Sequence, residues 1–346
     1  MDGNGFEERV LAFAQKVGTD QSVALGAALA YVGDRLGLWA ALAGSGPVTA
    51  AELAERTGLA ERYLREWLAA ETAAGYLDHD AGRFTLPPDR AAVLADDDSP
   101  AAMAGGFEFA AALWAGTDRL GEAFRTGAGI AWGDQDGRLA GAVDHCFRAD
   151  YRSELLTTWL PALDGVVDRL RAGARVLDVG CGFGSATALI AEAFPASTVH
   201  GVDPHEPSVR AAEKAASGRA TFAVGGATDY PADGWDLVCF FDALHDMGDP
   251  VGAARHAREA LAPGGIVLLV EPGAGDALDE NLNPVGLTYY AASTAFCVPG
   301  ALAQAGTALG AQAGAAQLMA VLEEAGFTQV RVAVRDPFHL VVEARP

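Results

Sequence analysis

Between positions 6 and 45 apolar side chains recur at helical spacing: Val10, Leu11, Phe13 and Val17, then Leu25, Leu29, Val32, Leu36, Leu38 and Trp39. That period predicts two or three helices, stopped by Gly44 and Gly46. The next stretch, "GPVTAAELAERTGLAERYLREWLAAETAAGYLDHDAGRFTLPP", reads as a short helix, a turn at Gly58, a longer helix and the hairpin-like "YLDHDAGRFTL". This order predicts a winged helix-turn-helix. Residues 96–172 open with "ADDDSP" and read as several helices broken by "TGAGIAWGDQDG". From about 173 the period shortens to β-rich runs: "RVLDVG", "TVHGVD", "ATFAVG", "WDLVCFF", "GIVLLVEP", "VRVAV" and "HLVVEARP". Five of them alternate with helical segments, which predicts a parallel sheet with crossover helices. The last two flank a short turn at "RDP" and predict an antiparallel hairpin.

Composition narrows the partners. The chain has 346 residues, enough for about two domains, with 24 basic against 46 acidic side chains and a net charge of -22. Such a charge repels nucleic acid and anionic membranes. The reading helix of the winged motif carries Glu61, Glu66, Glu71 and Asp78 against Arg62 and Arg65, whereas a DNA reader needs exposed cations. A dimerisation or scaffold module is therefore expected, and a transcriptional regulator is the disfavoured alternative. The N-terminus shows no basic-then-apolar leader, and no apolar run approaches the roughly 20 residues of a membrane span. A cytoplasmic location is expected. Cys146, Cys181, Cys239 and Cys297 are far apart and form no CxxC pair, so neither a disulfide framework nor a structural zinc site is indicated.

"VLDVGCGFGSATALIAEAF" is a strand running into Gly180, Gly182 and Gly184 and then a helix. Glycine suits a tight turn where backbone approaches a ligand, and the helix start offers free N–H groups. Asp203 ends the next strand, where a carboxylate accepts ribose hydroxyls. The GxGxG spacing after Asp178 differs from the GxGxxG of dinucleotide binders. An NAD oxidoreductase remains the other enzyme class.

With "LDVGCGFG", "GVD", "WDLVCFF" and "LAPGG", the chain resembles the class I S-adenosylmethionine-dependent methyltransferases. The winged helix, "ALHDMGDP", "NLNPVG", "LGAQAG" and "PFHLVVEARP" extend the likeness to actinobacterial winged-helix methyltransferases of small molecules, similar in plan to plant O-methyltransferases. The resemblance implies an α/β fold: a Rossmann-like seven-stranded methyltransferase domain behind a mainly helical winged-helix domain. Residues 1–95 are then a helical and winged-helix dimerisation domain. A helical linker and substrate lid spans 96–172, and an S-adenosylmethionine-binding domain spans 173–346 with a helical insertion at 272–317. A homodimer and a small-molecule acceptor, with secondary metabolism as the setting, are implied too.

The resemblance places Asp178, Gly180, Gly182, Gly184, Asp203, Pro204, Ala227, Thr228, Phe240, Phe241 and Asp242 at the cofactor. Three positions depart from the expected pattern: Phe183 in place of His, Pro204 in place of an aromatic, and Gly226 in place of an acid. Relatives carry a His-Asp pair after the fourth strand and a Glu near the fifth, matched here by His245, Asp246 and Glu271. The reaction implied is O-methylation, with His245 as general base and no resident metal. The alternative is metal-assisted C-methylation of a 2-oxo acid or other enolisable substrate at the same loop, with Cys297 where a further His is expected. Candidates to line the substrate pocket are Trp132, Tyr151, Tyr289, Tyr290, Phe296, Cys297 and His339, the last standing where Asn is expected.

Overall fold

The computed structural model describes residues 3–216 and 218–346. They form two compact units, Met1–Ala111 and Ala112–Pro346. The first begins with one long helix, α1 (Gly3–Arg35), followed by α2 (Leu38–Leu42), α3 (Ala50–Thr57) and α4 (Glu61–Ala73). Two or three helices were expected up to residue 45, and two form, broken where Gly37 takes a left-handed conformation (φ 68°). "TAAE" becomes a capping box at the start of α3: Thr49 Oγ1 accepts from Glu52 N (3.2 Å), and Glu52 Oε2 accepts from Thr49 N (2.7 Å). The wing is a hairpin of β1 (Asp78–Asp80) and β2 (Arg83–Thr85). Its turn places Ala81 and Gly82 at positive φ (48° and 80°), matching the right-handed twist of short hairpins.

Leu53, Leu64, Leu68 and Trp39 form the core of this unit, and Trp39 stacks tilted on Trp67 at 4.9 Å. Glu71 lies within it, fully buried, with neither carboxylate oxygen hydrogen-bonded. Desolvation pushes its carboxyl up to about 7. The two arginines of α4 are already tied along the helix, Arg62 to Glu66 (2.6 Å) and Arg65 to Glu61 (2.5 Å).

The second unit contains β3 (Arg175–Val179), β4 (Thr198–Asp203), β5 (Thr221–Val224), β6 (Trp235–Phe241), β7 (Leu261–Pro272), β8 (Gln329–Arg335) and β9 (His339–Arg345). They form one sheet in the order β5-β4-β3-β6-β7-β9-β8. The first five strands run parallel, and β9 is antiparallel to both β7 and β8. This is the seven-stranded, mostly parallel sheet with a terminal hairpin expected from the alternation of runs.

Both faces of the sheet are covered, which is why its central strands read as continuous apolar runs. Along β6, Leu237, Cys239 and Phe241 enter one core layer while Val238 and Phe240 enter the other. Strand β7 extends back to Leu261, through a register irregularity opposite Trp235 and Leu237, farther than "GIVLLVEP" predicts. Because β3 is flanked by β4 on one side and β6 on the other, the strand order reverses there. The loops after β3 and β6 therefore open onto the crevice where such sheets bind ligands.

Two helices change width partway. Helix Leu139–Asp150 continues as a π-helical segment, Tyr151–Trp159, and Pro284–Ala292 continues as Ser293–Cys297. Leu160 N donates to Leu155 O, five residues back. Such widened turns re-aim side chains and are frequent at functional sites. Here they carry Tyr151 and Cys297.

Candidate active site

At the end of β3 the three glycines have different reasons to be glycine. All lie at positive φ (78°, 52° and 74° for Gly180, Gly182 and Gly184). A Cβ on Gly180 would fall 2.7 Å from Ala243 Cβ, and one on Gly184 would fall 2.7 Å from the Phe222 ring. Only before Gly182 is there open space, with nothing within 4 Å. Its N–H donates to Asp203 Oδ2 (2.9 Å), while Asp203 Oδ1 accepts from His205 N (2.8 Å). Burial raises the Asp203 carboxyl, and the two N–H donors pull it back.

Asp178 lies beneath this loop. Thr187 donates to its Oδ2 (2.5 Å), but its buried Oδ1 has no partner. Desolvation pushes the carboxyl up to about 7 against that donor. An open glycine and an orphaned carboxylate oxygen fit a ligand bearing hydroxyls and an ammonium group.

The second group sits after β6 and β7. Glu271, 1% exposed, is held on both oxygens: its Oε1 accepts from Leu244 N (3.0 Å) and its Oε2 faces His245 Nδ1 at hydrogen-bond contact. On the other side of the ring, His245 Nε2 lies 3.1 Å from Asp246 Oδ1. Burial disfavours the imidazolium, but Glu271 and then Asp246 outweigh it and hold the ring well above its ordinary value. Gln304 fastens this turn from the insertion, donating to Asp246 O (3.2 Å) and accepting from Gly248 N (3.3 Å). Cys297 completes the group, since ligand atoms of His245, Asp246 and Cys297 all lie within 4.8 Å of one another. Burial, then Asp246, pushes its thiol up to about 12.

A third group was not foreseen as a group. His339, 3% exposed, has Nε2 3.5 Å from Asp150 Oδ2 and Nδ1 3.4 Å from Asp336 Oδ1, and its ring lies 5.0 Å from Trp159. Burial opposes its protonation, yet Asp150 and Asp242 raise it. Asp242 has a left-handed backbone (φ 49°), and both its carboxylate oxygens are buried without a partner. Tyr151 packs edge-on to Phe241 at 5.7 Å, and burial, then Asp242, raises its phenol. Tyr289 donates from its hydroxyl to Phe338 O (2.7 Å), beside His339.

The other expected residues are placed less pointedly. Phe240 and Phe241 are buried, one in each core layer. Ala227 and Thr228 sit in the loop after β5, where Asp229 accepts from Gly226 N (2.7 Å), and Pro204 directly follows Asp203. Phe296 is buried in the widened turn before Cys297. Trp132 is half-buried in a short 3-10 turn, and Gln135, just after it, donates to Ala295 O (3.5 Å). Tyr290 is half-buried on helix Pro284–Ala292. Among the described residues neither Trp132 nor Tyr290 makes a hydrogen bond or ring contact with the histidine groups. Sequence reasoning missed Asp144, which is buried, contacts Ser185 at the start of the helix after the glycine loop and pairs with Arg148. It also missed Asp150 and Asp336.

Comparison with known proteins bears on the family and the fold. The family described as "Methyltransferase domain" matches residues 149–332, and the "Rv2258c-like winged HTH domain" matches 23–96. A trans-aconitate 2-methyltransferase of Streptomyces avermitilis is 31% identical over 118 residues, 32% of this chain and 44% of that protein. A 27-O-demethylrifamycin SV methyltransferase of Amycolatopsis mediterranei is 32% identical over 130 residues, 34% of this chain and 47% of that protein. The matched segment thus spans less than half the length of these relatives. Among solved structures, a mitomycin 7-O-methyltransferase is similar in fold (TM-score 0.69, 23% identical, covering 98% of this chain and 100% of that one).

Proposed function

The chain belongs to the methyltransferase-domain family, and from that premise we propose that it transfers the methyl group of S-adenosylmethionine to an oxygen of a small molecule, with His245 taking the proton. The observation that carries this reading is the buried His245 at the crevice edge, its Nδ1 against Glu271 and its Nε2 turned to Asp246. When bound, the cofactor supplies an electrophilic methyl group on a sulfonium. Asp203 would hold the ribose hydroxyls with the lone pairs that Gly182 N and His205 N leave free, and Asp178 Oδ1 would hold the ammonium. With the cofactor in place, the methyl group would pass to the acceptor oxygen, its S–C electron pair remaining on sulfur, and His245 Nε2 would take the hydroxyl proton. Glu271 fixes the tautomer and stabilises the imidazolium that results. Positioning contributes about 7–11 kcal/mol to such a step, more than the base does.

A second reading has one observation in its favour. His245, Asp246 and Cys297 offer nitrogen, oxygen and sulfur to one point, with Glu271 behind the histidine as a carboxylate behind a metal ligand commonly stands. That donor set fits zinc or iron, and a metal there would stabilise an enolate for C-methylation. Metal removal separates the two. On the base reading, protein stripped with a chelator and checked by elemental analysis keeps full turnover. Turnover that collapses on stripping and returns with zinc or iron selects the metal reading.

We also propose a homodimer acting in the cytoplasm. Exposed apolar side chains along α1 recur at alternating four- and three-residue steps, Phe6, Val10, Phe13, Val17 and then Leu25, Leu29, Val32. Such a stripe is the seam of a helix that packs on a second copy. Light scattering is expected to give a dimer for the full chain and a monomer for the Val10→Asp, Phe13→Asp variant; a monomeric wild type would refute the dimer. Among the described residues no helix is long and apolar enough to cross a membrane.

A further inference from the structure

His245 has a carboxylate on each side and needs nothing more to balance its charge. The group three residues earlier is the reverse. Asp242 keeps both carboxylate oxygens out of solvent with no hydrogen-bond donor. Its backbone is held at φ 49°, a left-handed conformation that few residues other than Gly, Asn and Asp adopt. His339 Nε2, also buried, has no hydrogen-bond partner. Asp150 and Asp336 lie 3.5 Å and 3.4 Å from the two nitrogens of this one imidazole. Even an imidazolium at His339 leaves the recess around Asp150, Asp242 and Asp336 negatively charged. Trp159 packs against His339 at 5.0 Å, and Tyr151 packs against Phe241, the residue before Asp242, at 5.7 Å. Burial pushes the Asp242 carboxyl up to about 7, because a buried, unpaired carboxylate either takes a proton or is met by a cation.

We infer that Asp242, flanked by His339 and Asp150, forms an anionic recess that receives a positively charged group of a bound molecule. Within the methyl-transfer reading on which this rests, two molecules carry such a charge: the donor, at its sulfonium, and an acceptor with a protonated nitrogen. Asp242 directly precedes Ala243, the residue that lies against Gly180 of the glycine loop. If the sulfonium is the cation, pairing exists with S-adenosylmethionine and not with S-adenosylhomocysteine, whose sulfur is neutral. Asp242 then lowers KM for the donor and speeds exchange of spent for fresh cofactor without raising kcat, because the charge it holds leaves the sulfur during transfer. If the acceptor nitrogen is the cation, the substrates are amines, and an anionic 2-oxo acid is repelled.

The test uses the full chain at about pH 8 and the variant Asp242→Asn, whose side chain matches Asp in shape and tolerates the left-handed backbone. Near-UV circular dichroism checks its fold. In the first arm, calorimetry compares S-adenosylmethionine with S-adenosylhomocysteine. In the second, ligand-observed NMR on protein saturated with S-adenosylhomocysteine compares tyramine with 4-ethylphenol, which differ by the amine. A preference for the charged member of at least about tenfold in one arm, falling below about threefold in Asp242→Asn, is expected for a desolvated charge pair. The arm in which it appears identifies the source. Equal ratios in wild type and variant in both arms overturn the inference. Failure of S-adenosylhomocysteine to bind the wild type at all refutes the methyltransferase site instead.

Discussion

His245→Ala is expected to lower kcat by about 100- to 10,000-fold, the range a positioned general base supplies, while affinity for S-adenosylhomocysteine changes less than about twofold. The ring is turned to Glu271, Asp246 and Cys297 rather than to the glycine loop, so on the proposed reading its loss removes the proton acceptor and leaves the cofactor contacts in place. The pH profile gives a second reading of the same residue. Glu271 and Asp246 hold His245 well above its ordinary value of 6.5 against burial. Only the neutral ring accepts a proton, so kcat is expected to rise with pH along a limb displaced above that ordinary value. Glu271→Gln takes away the strongest support for the charged ring, so the limb should move to lower pH. In His245→Ala the limb should vanish. A His245→Ala enzyme with full turnover of the wild-type acceptor would exclude an essential base.

Asp203→Ala is the largest effect expected on the cofactor side. A ribose held by two charge-assisted hydrogen bonds, each contributing about 1.5–3 kcal/mol, loses both, which corresponds to about 100-fold or more in Kd. Asp203 also holds Gly182 N (2.9 Å) and His205 N (2.8 Å), so the glycine loop loosens in the same variant. Asp203→Asn keeps one acceptor oxygen and should fall between the two. Calorimetry with S-adenosylhomocysteine checks the series; equal affinity in wild type and Asp203→Ala would place the ribose elsewhere.

Much of this was legible because local pattern and local structure share a period. The apolar runs of β3, β6 and β7 are buried on both faces, and Asp203 and Glu271 each end a strand at the same edge of the sheet. The "ALHDMGDP" stretch was legible as chemistry because its turn is short: His245 and Asp246 are neighbours, and only Glu271 must arrive from the adjacent strand. The glycine loop was legible in form but only partly in cause. Gly180 and Gly184 answer to Ala243 and Phe222 inside the protein, and only Gly182 faces open space.

The Asp150, Asp242, Asp336 and His339 group was not legible as a group. Its members come from helix Leu139–Asp150, the end of β6, the turn between β8 and β9, and the start of β9. No spacing rule joins residues so far apart; the β7–β9 pairing, which sets His339 opposite Pro272, brings them together. The widened turns at Tyr151–Trp159 and Ser293–Cys297 were invisible for a related reason. One extra residue per turn changes which side chain faces inward without changing composition. Aromatic residues beside glycine-rich sequence, such as Trp132, were singled out on composition, and composition does not fix direction.

The central claim is that the crevice between the loops after β3 and β6 binds S-adenosylmethionine for methyl transfer. Its most direct test is calorimetric titration of the full chain with S-adenosylhomocysteine and, separately, with NAD. The account predicts saturable binding of S-adenosylhomocysteine at one site per chain, weakened in Asp203→Ala, and no heat with NAD. Saturable binding of NAD with none of S-adenosylhomocysteine would contradict it.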